Sequence, residues 1–146
     1  MTPPTPPTPP PTPLTPRAVF ERLSAGISAG RWHELADLYA EDAVVEQPFA
    51  LPPAPPRLEG RATIAEHFRR AAAGPLHLRA RDVVVHETDD PEVIVAEFDY
   101  DGRVAATGHE FRVSNVQVLR VRGGRIVESR DYHDHRGLAR AMTTAS

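Results

Sequence analysis

Leu76 divides this chain into two kinds of hydrophobic pattern, and the order of the two fixes what it can fold into. Before Leu76 the apolar residues recur at helical spacing. Phe20, Leu23 and Ile27 fall at i, i+3 and i+7, an amphipathic helix closed by Gly30. Trp32, Leu35, Ala36, Leu38 and Tyr39 predict a second, short helix. Ile64, Ala65, Phe68, Ala71 and Ala72 predict a third, ended by Gly74-Pro75. From Leu76 the period drops to two: Leu76, Leu78 and Ala80 alternate with His77, Arg79 and Arg81. Strands are then expected over Leu76–Val85, Val93–Tyr100, Val104–Val121, with a bend or bulge near Gly108, and Arg125–Asp134. Asp89-Asp90-Pro91, Asp101-Gly102 and Gly123-Gly124 read as turns between them. A short strand, Ala43–Phe49, stops at Pro48. A proline-rich loop over Leu51–Gly60 precedes the third helix, and a short helix over Leu138–Met142 closes the pattern. Helices followed by a meander predict an α+β fold: a cone-shaped, curved antiparallel sheet wrapped around N-terminal helices, with one central pocket.

Residues 1–16 stand apart. The run TPPTPPTPPPTP supplies few amide donors and fixes φ, so it favours an extended polyproline helix and reads as a disordered tail, with a proline-recognising groove as the other possible use. The domain is expected over 17–142, with 143–146 as a C-terminal tail. No apolar run has the length of a membrane span, and the N-terminus lacks the basic and apolar regions of a signal peptide, so a cytoplasmic protein is expected.

Composition removes several chemistries. There is no cysteine, hence no thiol nucleophile and no thiolate-held metal; all 17 basic residues are arginine, hence no Schiff-base lysine. The net charge of −3 comes from interspersed charges, without the basic stripe that a nucleic acid requires. No phosphate loop, nucleophile elbow or zinc-protease motif occurs. Acid–base chemistry without a cofactor is what remains.

Three segments carry a resemblance: SAGRWHELADLYAEDAVVEQP (28–48), LEGRATIAEHF (58–68) and VQVLRVRGGRIVESRDYHD (116–134). Together they resemble the SnoaL-like polyketide cyclases and the ketosteroid isomerases, which share the nuclear-transport-factor-two-like fold. The resemblance implies that fold over nearly all of Arg17 to Met142, and an enzyme of cyclase, isomerase, hydrolase or dehydratase type. The isomerases carry a proton-moving Asp in a Glu-Asp-Pro-like motif. Here the matching run is Glu46-Gln47-Pro48, and Gln47 has no proton to move. Their helix-one tyrosine falls near Leu23 and their protonated second acid near Asn115. The cyclases keep their acid–base carboxylate on the last strand, which matches Asp131, and a facing histidine, which matches Gln117.

Strand parity leads to the same residues. If Val127 faces the cone, so do Ser129, Asp131 and His133, while Asn115 and Gln117 share a face on the neighbouring strand. An apolar cavity is expected to raise the Asp131 pKa towards working pH, as a general base needs. Asn115 and Gln117 would hold a developing enolate or a water. His133 would orient Asp131 or exchange the proton. The competing readings are a surface or dimer-seam ion pair for Asp131, a structural role for His133, and mutual satisfaction of Asn115 and Gln117 in a wet core. Asp131, His133 and His135 alternate, which raises a metal site, but no further ligand is evident and none is expected. Gln47, Phe49, Phe20, Trp32, Phe68, Phe98 and His109 are candidate substrate contacts, though aromatics at helical spacing are more often core.

The expected ligand is therefore a hydrophobic, oxygenated small molecule. The alternative function is a non-catalytic binding or assembly protein of the same fold. Val116 and Val118 lie opposite the pocket face, so a homodimer through the outer sheet surface is expected.

Overall fold

The computed structural model describes residues 2–8 and 12–144. The first helix, α1, spans Pro16–Ser28. Thr15 caps it: the Ala18 N–H donates to the Thr15 hydroxyl at 3.1 Å, and Pro16 takes the first helical position, where a missing N–H costs nothing. Its apolar stripe buries Val19, Phe20 and Leu23. Immediately before it, half-buried Leu14 packs against the core, and the chain at Pro13–Leu14 lies over the turn at Gly124. A 3-10 helix over Trp32–Leu38 takes the place of the expected second helix. Two strands follow, β1 (Tyr39–Glu46) and β2 (Arg57–Glu59), then helix α2 (Arg61–Ala73). The remaining strands are β3 (Leu76–Glu87), β4 (Val93–Val104), β5 (Glu110–Arg122) and β6 (Arg125–His133), and α3 (His135–Thr144) ends the described chain.

The six strands form one curved sheet in the order β2-β1-β6-β5-β4-β3. The β3–β6 meander is antiparallel, as its alternation predicts. β1 joins it differently, running parallel to β6, and the long intervening stretch of α2 and three strands supplies the connection that a parallel pair requires. The helices cover one face, and Phe20, Leu23, Ile64, Leu119 and Ile126 are among the fully buried side chains between them and the sheet. No helix among the described residues is long and apolar enough to cross a membrane.

Besides the shift of β1 to Tyr39–Glu46 and the extra strand β2 inside the expected proline-rich loop, two details of the strands differ from the sequence reading. Asp101-Gly102 is not a turn. It lies inside β4, and the chain reverses instead through Ala105–His109, where Gly108 takes φ +75°. Gly102 is needed for another reason: it pairs with Phe111, whose ring lies where a Cβ would stand, within 2.2 Å. The second difference concerns parity. The β5–β6 register shifts between Arg120 and Val121, so β6 carries a bulge. Ile126, not Val127, is the fully buried residue at the start of β6, and the bulge restores Ser129 and Asp131 to the inner face. The expected inward pair Asp131/His133 is observed, while the Val127 anchor used to infer it is corrected to Ile126.

Candidate functional site

A cavity of about 310 Å³ opens between the concave sheet face, α2, the 3-10 helix and the loop after β1. Most of its wall is apolar, including Leu23, Trp32, Leu58, Ile64, Phe68 and Leu78. β5 contributes Asn115 and Gln117; β6 contributes Asp131 and His133. The two pairs are cross-strand neighbours, Asn115 opposite His133 and Gln117 opposite Asp131. An antiparallel rung brings such residues together on one face.

Asp131 is buried, and its Oδ1 accepts from Gln117 Nε2 at 3.0 Å and from the hydroxyl of fully buried Ser129. Its Oδ2 faces His133 Nε2 at 3.7 Å. On the other side of the ring, His133 Nδ1 is 2.9 Å from Asn115 Oδ1. The four side chains thus form one chain of contacts: Gln117, Asp131, His133, Asn115. Asn115 Nδ2 ends it, buried and without a partner, on a side chain only 4% exposed. A buried donor without an acceptor is rare in folded proteins and costs the desolvation of that group.

The electrostatics correct one expectation. Burial, the largest single influence on Asp131, pushes its pKa up, but the His133 imidazole and the donors Ser129 and Gln117 together outweigh it, and the carboxyl sits below its ordinary value of 3.8. Asp131 is therefore a held carboxylate rather than an acid poised near neutral pH. Its charge adds to burial in raising the pKa of Tyr39 and Tyr100, which also line the cavity. Two further histidines complete the wall: His67 from α2 and His135 from the start of α3. Burial lowers the pKa of each below 6.5. Among the described residues, no group of three or more His, Asp or Glu side chains is placed to hold a metal ion.

Among the other candidate contacts, Trp32, Phe68 and Gln47 line the cavity, with the Gln47 amide donating to the Pro55 carbonyl at 2.8 Å and so tying down the proline-rich loop. Phe20 and Phe98 do not; they pack on each other beneath it, ring centroids 5.5 Å apart, as core. Phe49 lies on the outer side of the sheet, 64% exposed and edge-on to Tyr132, because it falls beyond the end of β1. His109 sits in the β4–β5 turn, away from the cavity. Glu46 points outward and accepts from Arg57 at 2.8 Å. His67 was not singled out from the sequence, yet Ile64, His67, Phe68 and Ala71 complete the i, i+3, i+4, i+7 stripe of α2, which was the available signal.

A family model described as a SnoaL-like domain matches residues 20–129. The chain is 38% identical over 102 residues to YesE, an uncharacterised protein of Bacillus subtilis, covering 69% of this chain and 67% of that one. A crystal structure from Bacillus subtilis, provisionally named an isomerase, superposes with a TM-score of 0.79 at 30% identity, covering 86% of this chain and 90% of that one. One from Xanthomonas campestris, provisionally named a polyketide cyclase, gives 0.71 at 22% identity over 89% and 96% of the two chains, a likeness of fold.

Proposed function

This chain belongs to the SnoaL-like family, and from that footing we propose that it is a cofactor-independent acid–base enzyme acting on a hydrophobic, oxygenated small molecule held in the cone. The observation that carries this reading is the buried Asp131–His133 pair ending in the unpartnered Asn115 Nδ2 within a largely apolar cavity. A buried carboxylate beside an imidazole in an apolar cavity is the arrangement that acid–base catalysis uses. The names of the similar isomerase and cyclase agree with this class of chemistry.

The roles follow from the contacts. A carboxylate held below its ordinary pKa is a weak base towards carbon, whereas an imidazole is a stronger one. His133 Nε2 takes a proton from a C–H next to a substrate carbonyl. The Asp131 carboxylate, 3.7 Å away, steadies the imidazolium that forms. The electron pair of the C–H bond becomes the C=C bond of an enolate as the carbonyl π pair moves onto oxygen. Asn115 Nδ2 donates to that oxygen, and Gln117 and Ser129 hold Asp131 in place. Return of the proton, at the same or another carbon, ends the cycle.

The test is solvent deuterium exchange into 2-tetralone, a neutral aromatic ketone with acidic C–H bonds, followed by proton NMR. Exchange above the buffer rate is expected from the wild type, falling by about two to four orders of magnitude in His133→Gln or Asp131→Asn. Exchange that is equal in wild type and both variants overturns the reading and leaves a binding protein of the same fold.

A further inference from the structure

His77, Arg79 and Arg81 alternate along β3 with Leu76 and Leu78, which line the cone, so the three basic residues lie on the opposite, outer face of the sheet. The register carries this pattern across two more strands. On β4, Arg103 stands opposite His77 and Asp101 opposite Arg79; on β5, Glu110 stands opposite Arg103 and Arg112 opposite Asp101. Four arginines, Arg79, Arg81, Arg103 and Arg112, thus line one surface cleft against two carboxylates, Asp101 and Glu110, in a chain whose net charge is −3.

Two of the four arginines are held. Asp101 accepts from Arg81 at 2.8 Å on one oxygen and from Arg112 at 3.1 Å on the other. Asp99, the next outward residue on β4, accepts from Ser114 at 2.7 Å and faces Arg112 at 3.9 Å. The other two, Arg79 and Arg103, are exposed and form neither an ion pair nor a hydrogen bond among the described residues, although Glu110 stands opposite Arg103 in register. They are diagonal cross-strand neighbours, about 7–8 Å apart at the backbone, within converging reach of two long side chains. Arg22 and Arg125 also lack a partner, but the cleft they share carries Glu21, Glu34 and Asp37.

Like charges held this close repel, and an anion between them removes the repulsion. Each guanidinium presents a planar fork of donors that matches phosphoryl oxygens in pairs. An extended peptide is a poor fit, because α1 closes the β3 edge: the Ala80 N–H donates to the Ser28 hydroxyl at 3.0 Å, and Arg17 donates to the Val85 carbonyl at 3.5 Å. A long polyanion is a poor fit as well, because Glu97 and Asp99 continue the same face of β4 and line the next cleft along it. A short anion whose charge spans two guanidiniums meets neither obstacle. We propose that Arg79 and Arg103 bind the two phosphoryl groups of a small soluble diphosphate, with Arg81 and Arg112, fixed on Asp101, adding to the positive field. The site lies outside the cone and does not depend on the acid–base reading above.

The experiment is isothermal titration calorimetry of the full chain, at neutral pH and low ionic strength, with inorganic pyrophosphate, inorganic orthophosphate and a single-stranded oligothymidylate. Pyrophosphate is expected to bind at least about 10-fold more tightly than orthophosphate, because it alone engages both guanidiniums. Added salt should weaken it, since the charges are exposed. Arg79→Gln and Arg103→Gln should each lower pyrophosphate affinity about 3- to 10-fold, the range for one charge-assisted contact at an exposed position. Arg79→Lys, which keeps the charge and loses the fork, should recover part of that loss. Arg22→Gln, which removes an equally unpaired arginine from α1, should leave the affinity unchanged, and all four variants should melt near the wild type. Equal affinity for the two phosphates, unchanged pyrophosphate affinity in Arg79→Gln or Arg103→Gln, a loss as large in Arg22→Gln, an oligonucleotide bound more tightly than pyrophosphate, or no pyrophosphate binding overturns the proposal.

Discussion

Gln117 and Asp131 face each other across one rung of the sheet, and the carboxamide donates to the carboxylate at 3.0 Å while Ser129 donates to the same oxygen. With the His133 imidazole as the larger influence, these two donors help to hold the Asp131 carboxyl below its ordinary value against the upward push of burial. Polar residues that look like candidate reagents in the sequence act here to fix the charge state of a third.

Ser129→Ala tests that relationship. The hydroxyl is fully buried and its partner is charged, so its loss should cost about 1–3 kcal/mol at pH 7. Because the folded-state pKa of Asp131 is depressed, the stabilisation is present above 3.8 and is lost as pH falls through the lower folded value. Urea denaturation should therefore show a larger penalty at pH 7 than at pH 3. Equal penalties at the two would mean that Ser129 acts through packing alone.

Gly102→Ala should destabilise the β4–β5 hairpin by about 1–3 kcal/mol, since the new methyl meets the Phe111 ring within 2.2 Å. In a Phe111→Ala background the same substitution should cost much less. Chemical denaturation of the four proteins in this double-mutant cycle measures the coupling. Additive penalties would show that the ring simply swings away.

The meander was legible because period-two alternation survives in β3 to β6, and α2 because its stripe is regular. The turn at Asp101-Gly102 misled because the pair is a stronger local signal than Ala105–His109, while Gly102 answers to the Phe111 ring directly opposite it on β5, which no local rule reveals. The β6 bulge was hidden because Ile126 and Val127 are interchangeable to a pattern of apolar residues; only the register with Val121 separates them. Asp131, His133, Asn115 and Gln117 were reached by parity. The direction of the Asp131 pKa was not, because burial and hydrogen bonding oppose each other and their balance depends on distances.

Thr15→Ala should lower stability by about 1 kcal/mol through loss of the α1 cap. Removing residues 1–12 should leave the melting temperature near that of the full chain, whereas removal through Thr15 also takes away Leu14 and should lower it. Thermal scans of the two truncations separate these cases, and equal melting temperatures would deny the cap and Leu14 any role.

Acidification should destabilise the protein through His67 and His135. Both are pushed below the ordinary value of 6.5, in each case chiefly by burial, which disfavours the charged ring. For His67 the His133 ring and Arg70 act in the same direction as burial and the Asp131 carboxylate opposes it; for His135, His133 adds, and Asp134 and Asp131 oppose. Since the unfolded chain binds these protons more readily than the folded one, stability is full above pH 6.5 and falls as pH drops below it, down to the folded-state values. The melting temperature should therefore decline between pH 7 and pH 5, a range above the ordinary carboxylate pKa values. His67→Gln removes one titrating group from the wall and should flatten that decline, with His135→Gln flattening it further. A decline of unchanged slope in the double variant would assign the acid sensitivity to other groups.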